Sequence, residues 1–395
     1  MSKNYNNLLT TKVLKCIIDI FTDTFLVLYM LQLSNNNILT VGVYNIIQFT
    51  VTFITIFLLR NLIKTKNRIV LFRIGIVFNF IFFLLLFLLN EKIIQYIWLI
   101  AIVYGLEEGF YYSVFNIYES SIKKDKLARY SGTSSWINSI ISILIPFIFG
   151  TIMNYAGFLK CTVIVLVLVI MKLILSILYK DKILNQRNKT NMKEYIDIVK
   201  KDKRLFHSNL WIFTHGLTYQ GAFSTIVILY IIREFSNSFE LGIFTSVFAI
   251  ITSIASYLFA HLIKSKSYKS ILVICNILTI ISLMLMVINC NMITIILFNF
   301  IQSFAKTYVD LIDWNNCLIV SNFYLHKKEE YFILNEAFIF AGRFISYCLL
   351  CLLAFVKTKM FIILIMCVFA FFIVCRLYMS IKLQNDVSNI GGEIK

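Results

Sequence analysis

Seven ionisable residues sit deep inside long apolar runs: Asp23, Glu107, Glu108, Lys306, Asp310, Glu336 and Arg343. A charged side chain at the centre of a membrane helix costs roughly 2.5–3.5 kcal/mol on insertion scales. Such groups persist where they pair, meet water, or gain and lose a proton as part of a mechanism. Their spacing is helical. Asp19 and Asp23 are four residues apart and share a face. Tyr104, Glu107, Tyr111 and Tyr118 form one stripe, with Glu108, Tyr112 and Glu119 on the next. His215, Tyr219 and Gln220 gather in a third run, and Lys306, Asp310 and Asp313 stack at i, i+4 and i+7 in a fourth. Adjacent Glu107 and Glu108 point about 100° apart, so a given neighbour meets one of them.

Plainer readings stand beside these. Asp19 lies near the end of its run, where it meets water or Lys15. Lys306 neutralises Asp310 in a fixed pair, and the tyrosines, 21 in all, pack helices. Glu336 and Arg343 share a face roughly 10 Å apart along the axis and are expected to serve as structural ion-pair residues. Arg73, Lys172 and Arg376 fall towards run ends and are expected to snorkel to water.

The elements that hold these residues are apolar helices. Hydrophobic residues make up 59% of the 395-residue chain, charged residues 14%, and mean hydropathy is +0.83, outside the range of soluble domains. Runs of about 18 apolar residues or more recur from end to end, each long enough to cross a bilayer. They predict an all-α polytopic membrane protein of twelve spans, near 15–33, 39–59, 69–89, 94–117, 132–154, 159–179, 206–231, 240–262, 270–289, 292–317, 332–355 and 360–380. With the N-terminus inside, and with Lys15 and Lys160 at span ends counted with the adjoining loops, cytoplasmic segments hold 27 of the 37 Lys and Arg residues and outer loops hold 5. This excess places both termini in the cytoplasm of a multi-pass plasma-membrane protein. The net charge of +17 is then met by an anionic leaflet, and no nucleic-acid partner is required.

Nine cysteines lack metal or redox spacing, and Cys348-x-x-Cys351 lies on an apolar helix with no histidine nearby. No cofactor or metal site is expected. The first run has no small-residue cleavage site and contains two aspartates, which argues against a signal peptide. The longest polar break, Lys180 to Arg204, is strongly basic. Met192, Tyr195, Ile196 and Val199 recur within it at helical spacing, as in a short helix on the membrane surface or a solvated linker. Pro146, the chain's one proline, is expected to kink its span.

Leu62-Ile63-Lys64-Thr65-Lys66 returns as Leu262-Ile263-Lys264-Ser265-Lys266, and Phe115-Asn116 aligns with Trp314-Asn315 at nearly the same offset. On that alignment Glu107 corresponds to Lys306. The repeat divides the chain into a six-helix bundle at 1–180, a basic linker at 181–205 and a second six-helix bundle at 206–395. This architecture resembles the major facilitator superfamily across nearly the whole chain. The segment Arg60 to Arg68 keeps the bases of that superfamily's loop between helices two and three, with its glycine and aspartate replaced. Pro146 and Gly150 retain part of an exporter motif in span five. The chain looks like a divergent permease of low-GC Gram-positive bacterial type.

The resemblance implies that helices one, four, seven and ten line a central cavity. It then casts Glu107, Glu108, Asp23 and Asp19 as proton-coupling residues, and Tyr111, Tyr112, His215, Tyr219, Gln220, Lys306 and Asp310 as substrate-binding. The expected function is proton-coupled secondary transport of a small amphipathic organic solute by a monomer working by alternating access, with efflux favoured. Alternatives are a lipid or glycolipid flippase of the same fold and a non-transporting sensor or immunity protein. The four histidines form no H-E-x-x-H, no paired catalytic aspartates appear in the spans and no P-loop is present, so neither an enzyme nor direct ATP drive is expected.

Overall fold

In a hydrocarbon solvent each backbone amide must be bonded within its own segment, and the apolar runs satisfy that demand as helices. The computed structural model describes residues 3–62, 68–120, 124–178, 192–223, 225–226, 231, 237–262, 268–288, 291–323, 328–355 and 359–393. Among them every regular element is helical. Both copies of the duplicated loop, apart from Leu62 and Leu262, and residues 179–191 of the linker lie outside the described residues.

Helix α1 (Lys3–Ile20) passes through a π-helical turn (Phe21–Leu26) into α2 (Val27–Leu33). There follow α3 (Ile38–Leu59), α4 (Arg68–Leu89), a 3-10 turn (Asn90–Ile94), α5 (Ile97–Ser120), α6 (Lys124–Ala156) and α7 (Phe158–Leu178). The second half holds α8 (Met192–Lys201), α9 (Lys203–Leu217), α10 (Ser238–Leu262), α11 (Tyr268–Ile288), α12 (Met292–Phe323), α13 (Lys328–Phe355) and α14 (Lys359–Glu393).

Nine described helices are long and apolar enough to cross a membrane. The expected spans outside that set are one, four and seven, three of the four that carry the polar clusters. Span one contains the π turn, span four the paired glutamates, and span seven is interrupted. Leu58, Leu88, Ile177, Ile288 and Phe371 present apolar surface outward, as a lipid-facing belt requires.

The helices cluster into two compact units, one of residues 1–190 and 235–247, the other of residues 191–234 and 248–395. In the first unit α5 is pressed against α3. A side chain at Gly105 would collide with the Gln48 carbonyl and Val51, and one at Gly109 with Thr55. Thr52 Oγ1 reaches across to the Gly105 carbonyl at 3.2 Å.

In the second unit the expected continuous span 206–231 is broken. Helix α9 stops at Leu217, and Thr218 leaves the helical region at φ −107° and ψ −98°. Released backbone groups find local partners: Gln220 N bonds the His215 carbonyl at 3.1 Å, and Ala222 N bonds Ser346 Oγ at 2.8 Å. Gly216 and Gly342 let α9 and α13 meet backbone to backbone at this level. Helix α8 folds onto the same unit, with Tyr195 and Val199 in a core formed with Leu205, Trp211, Tyr331 and Leu383. The apolar stripe expected on the membrane surface is therefore used by the protein's own core.

Candidate functional site

Among the described residues, each unit contains a cluster of buried charge. In the first unit the glycine face of α5 is committed to α3, which fixes the directions of its two glutamates. Glu108 points towards α3 and accepts a hydrogen bond from Gln48 Nε2 at 2.9 Å. Glu107 points the other way and is fully buried between α1 and α7. Its Oε2 takes a hydrogen bond from Lys15 Nζ at 3.0 Å, and its Oε1 lies 3.7 Å from Lys172 Nζ. Lys15 also lies 2.9 Å from Asp19 Oδ1 and 3.9 Å from Glu108 Oε1. One ammonium thus serves three carboxylates.

Aromatic rings close the cluster. Lys15 Nζ is 5.4 Å from the Tyr104 and Tyr111 centroids and 5.7 Å from Tyr112, and Lys172 Nζ is 4.3 Å from Tyr111. These are cation–π distances. Tyr111 is itself packed between Phe72 and Phe115, with its ring turned to two ammonium groups. Tyr104 shares a hydrogen bond with Thr22 at 3.1 Å.

Three sequence expectations change here. Lys172 does not snorkel: it is fully buried and meets Glu107. Lys15 is the centre of the cluster and not a cap for Asp19 alone. Asp23, expected deep in its span beside Asp19, lies on the π turn that begins at Phe21. Asp23 is exposed, whereas Asp19 faces Lys15.

In the second unit the centre is a carboxylate. Asp310 Oδ1 accepts from Arg376 Nη2 at 2.7 Å and lies 3.9 Å from His215 Nδ1, while Oδ2 lies 3.8 Å from Lys306 Nζ. Arg376, expected near water, is wholly buried on α14. It also lies 3.7 Å from Asp313 Oδ2, which accepts from Trp211 Nε1 at 2.8 Å and Ser380 Oγ at 2.7 Å. Tyr219 lies under both cations, 4.2 Å from the Arg376 guanidinium and 5.7 Å from Lys306. Trp211 stacks on His215 at 5.0 Å, so the imidazole is held between Trp211 and Tyr219. The fold therefore brings His215, Tyr219, Lys306 and Asp310 together.

Gln220 is exposed beside this cluster and accepts a hydrogen bond from Arg343 Nη2 at 2.6 Å. Arg343, expected with Glu336 to tie its helix to a neighbour, thus reaches a neutral amide from the span-seven segment.

Lys15, Lys172, Arg376, Gln48, Trp211 and Ser380 all hold carboxylates, and none was singled out as a site residue. A signal existed for the cations, since each interrupts an apolar run. Gln48, Trp211 and Ser380 are ordinary in sequence, and their roles follow from which helix packs against which.

The family described as Major Facilitator Superfamily matches residues 13–310. The chain belongs to that superfamily. As a member of the Major Facilitator Superfamily it is a multi-pass secondary transporter. The uncharacterized protein YqgE of Bacillus subtilis (strain 168) is 24% identical over 352 residues, covering 85% of this chain and 79% of the relative. Among solved structures, a bacterial homologue of the iron transporter ferroportin in the inward-facing state superposes with a TM-score of 0.67 at 13% identity. That match covers 97% of this chain and 99% of the other. A bacterial metal transporter gives a TM-score of 0.62 at 14% identity, over 96% of this chain and 98% of the other. At these identities the likeness is one of fold.

Proposed function

We propose that this superfamily member is a proton-linked transporter that moves a small amphipathic organic solute across the plasma membrane by alternating access, in the efflux direction. The observation that carries the reading is Lys15, placed within 4 Å of Asp19, Glu107 and Glu108. Its bond to Asp19 stays within α1, whereas its bond to Glu107 ties α1 to α5. A proton on Glu107 removes the charge that holds Lys15 and Lys172 across helices. Lys15 then settles on Asp19, inside its own helix, and the tie between α1 and α5 is released. Asp23, exposed on the π turn, serves as an entry point for the proton.

The ferroportin homologue and the bacterial metal transporter are named for metal cargo. The clusters of this chain favour an organic solute instead. Glu107 and Asp310 are already held by Lys15 and Arg376 at hydrogen-bonding distance. A metal ion would have to displace those cations from fixed positions. Tyr219, against the more open cluster of the second unit, supplies an aromatic face for the apolar part of such a solute.

The test begins with a stability screen of organic solutes on purified protein. Flux of the stabilising solute is then measured in proteoliposomes under an imposed pH gradient. The variant carrying Glu107→Gln and Glu108→Gln is expected to lose gradient-driven flux while still exchanging solute. Full gradient-driven flux in that variant would overturn the proton linkage.

A further inference from the structure

Three polar atoms of the sealed cluster are buried and make no hydrogen bond among the described residues: Glu107 Oε1, Lys172 Nζ and the Tyr111 hydroxyl. Glu107 Oε1 and Lys172 Nζ are 3.7 Å apart, too far for a direct bond. Tyr111 follows Glu107 by four residues, one turn along the same face of α5, and its ring centroid lies 4.3 Å from Lys172 Nζ. A buried polar group without a partner is costly, and internal water is the usual remedy where several such groups converge. One turn nearer the start of α1, the packing leaves a gap of about 10 Å³ among Leu8, Thr11, Phe72, Tyr118 and Ser176, room for a single water. Thr11 is four residues from Lys15 and Ser176 four from Lys172, so the gap adjoins the helix faces that carry both ammonium groups. Phe72 joins the two places. It lines the gap, and its ring is 5.5 Å from Tyr111 and 6.4 Å from Tyr118. Thr11 and Ser176 each give their hydroxyl hydrogen to a carbonyl of their own helix, at 2.8 and 2.6 Å, and so have lone pairs to offer a water. Asp23 lies in the opposite direction along the first span, beyond Asp19 and towards α2.

From this arrangement we infer that Tyr111 is a proton relay and that the gap beside Thr11 and Ser176 is the port it serves. The inference rests on the transport reading above and adds the second half of the proton's path. Asp23 receives the proton on one side, and the port returns it to water on the side of the α1 N-terminus, expected to be cytoplasmic. In the release step the O–H bond of protonated Glu107 breaks and its proton passes to the Tyr111 oxygen. The proton that Tyr111 already held moves on to a water in the gap. Glu107 is left a carboxylate, Tyr111 is left as it began, and the water, now hydronium, hands the proton on. Glu107 is faced by Lys15 and Asp19 from α1, by Lys172 from α7, and by Tyr104 and Glu108 on its own helix. From α4 it meets only the uncharged Gly75 and Phe72 side of the packing. As the carboxylate reforms, Lys15 and Lys172 are drawn back to it, and the tie between α1 and α5 is reset.

The test follows the proton itself, on the full chain in phosphatidylcholine nanodiscs carrying Asp23→Asn to remove the opposite approach. The pH is raised rapidly, and the infrared band of protonated Glu107, identified by its loss in Glu107→Gln, is followed as it decays. Tyr111→Phe keeps the ring against both ammonium groups, and Thr11→Val keeps the shape of the side chain. Each is expected to slow the decay about tenfold or more, because a positioned proton carrier is lost. The pH midpoint of the band should stay in place, which a merely structural effect on the cluster would not allow. Thr11→Ser returns the hydroxyl and is expected to recover the rate, which guards against a folding defect. An unchanged rate in both Tyr111→Phe and Thr11→Val, or a slowing that comes only with a shifted midpoint, would overturn the port and leave the proton linkage standing. If no band is removed by Glu107→Gln, the linkage and the port fall together.

Discussion

In the first unit a single ammonium, Lys15, reaches three carboxylates, whereas in the second a single carboxylate, Asp310, reaches Arg376, Lys306 and His215. The scaffolds beneath them correspond. Lys15 and His215 lie on the first spanning segment of their units, Glu107 and Asp310 on the fourth, Lys172 and Arg376 on the last. Each centre makes one bond within its own helix, Lys15 to Asp19 and Asp310 to Lys306, and its closest tie to another helix is a hydrogen bond, to Glu107 at 3.0 Å and to Arg376 at 2.7 Å. By partners, then, Asp310 is the counterpart of Glu107, one helical turn from the Lys306 that sequence alignment put there. The units also differ in access. Lys15 and Glu107 are sealed, while Asp310 is 32% exposed and Lys306 more so. A sealed cluster admits a proton and little else. An open one admits a solute.

The severest way to break this comparison is to remove the sealed centre. Lys15→Met leaves Asp19, Glu107 and Glu108 without their shared cation. Removing one partner of a buried pair costs about 3–5 kcal/mol. Thermal unfolding in detergent is expected to show a loss of that order, and adding Glu107→Gln should recover a large part by withdrawing the stranded charge. A Lys15→Met protein as stable as the parent would mean that Lys15 is no centre at all.

The open cluster should tolerate its equivalent change better. Arg376→Lys keeps the charge but loses the planar fork that reaches both Asp310 and Asp313. Asp310 retains Lys306, His215 and access to water, so the expected loss is about 1.5–3 kcal/mol, that of a hydrogen bond to a charged group. If Arg376→Lys proves more damaging than Lys15→Met, the assignment of sealed and open centres is reversed.

The fold was legible because lipid is an undemanding reader: long apolar runs become helices. The carboxylates that centre the buried clusters stood out for the same reason, since Glu107 and Asp310 have no cheap place in such runs. Their partners were harder to see. Lys172 and Arg376 were expected to snorkel because position along a helix gives depth and not direction, and direction is fixed by packing. The different exposure of Asp19 and Asp23 was hidden too, since it depends on Lys15 turning to Asp19 and on the π turn that carries Asp23. The break after Leu217 was equally hidden: the groups that relieve the broken backbone, such as Ser346, come from a helix more than a hundred residues away.

The mildest test concerns Asp313, a carboxylate that Arg376 shares with Asp310. Trp211 Nε1 and Ser380 Oγ both donate to the same oxygen, Asp313 Oδ2, at 2.8 and 2.7 Å. Trp211→Phe keeps an aromatic ring in place against His215 and removes one donor, at a cost of about 1 kcal/mol. Ser380→Ala removes the other at a similar cost. If the two donors hold Asp313 so that Arg376 remains turned to Asp310, the double variant should lose more than the sum of the singles. Asp313 would then draw the guanidinium towards itself and loosen Asp310, and thermal unfolding of the double variant should expose the coupling. Strict additivity would show that Asp313 is a passive anchor, and that the exposed edge of Asp310 is set by Arg376 alone.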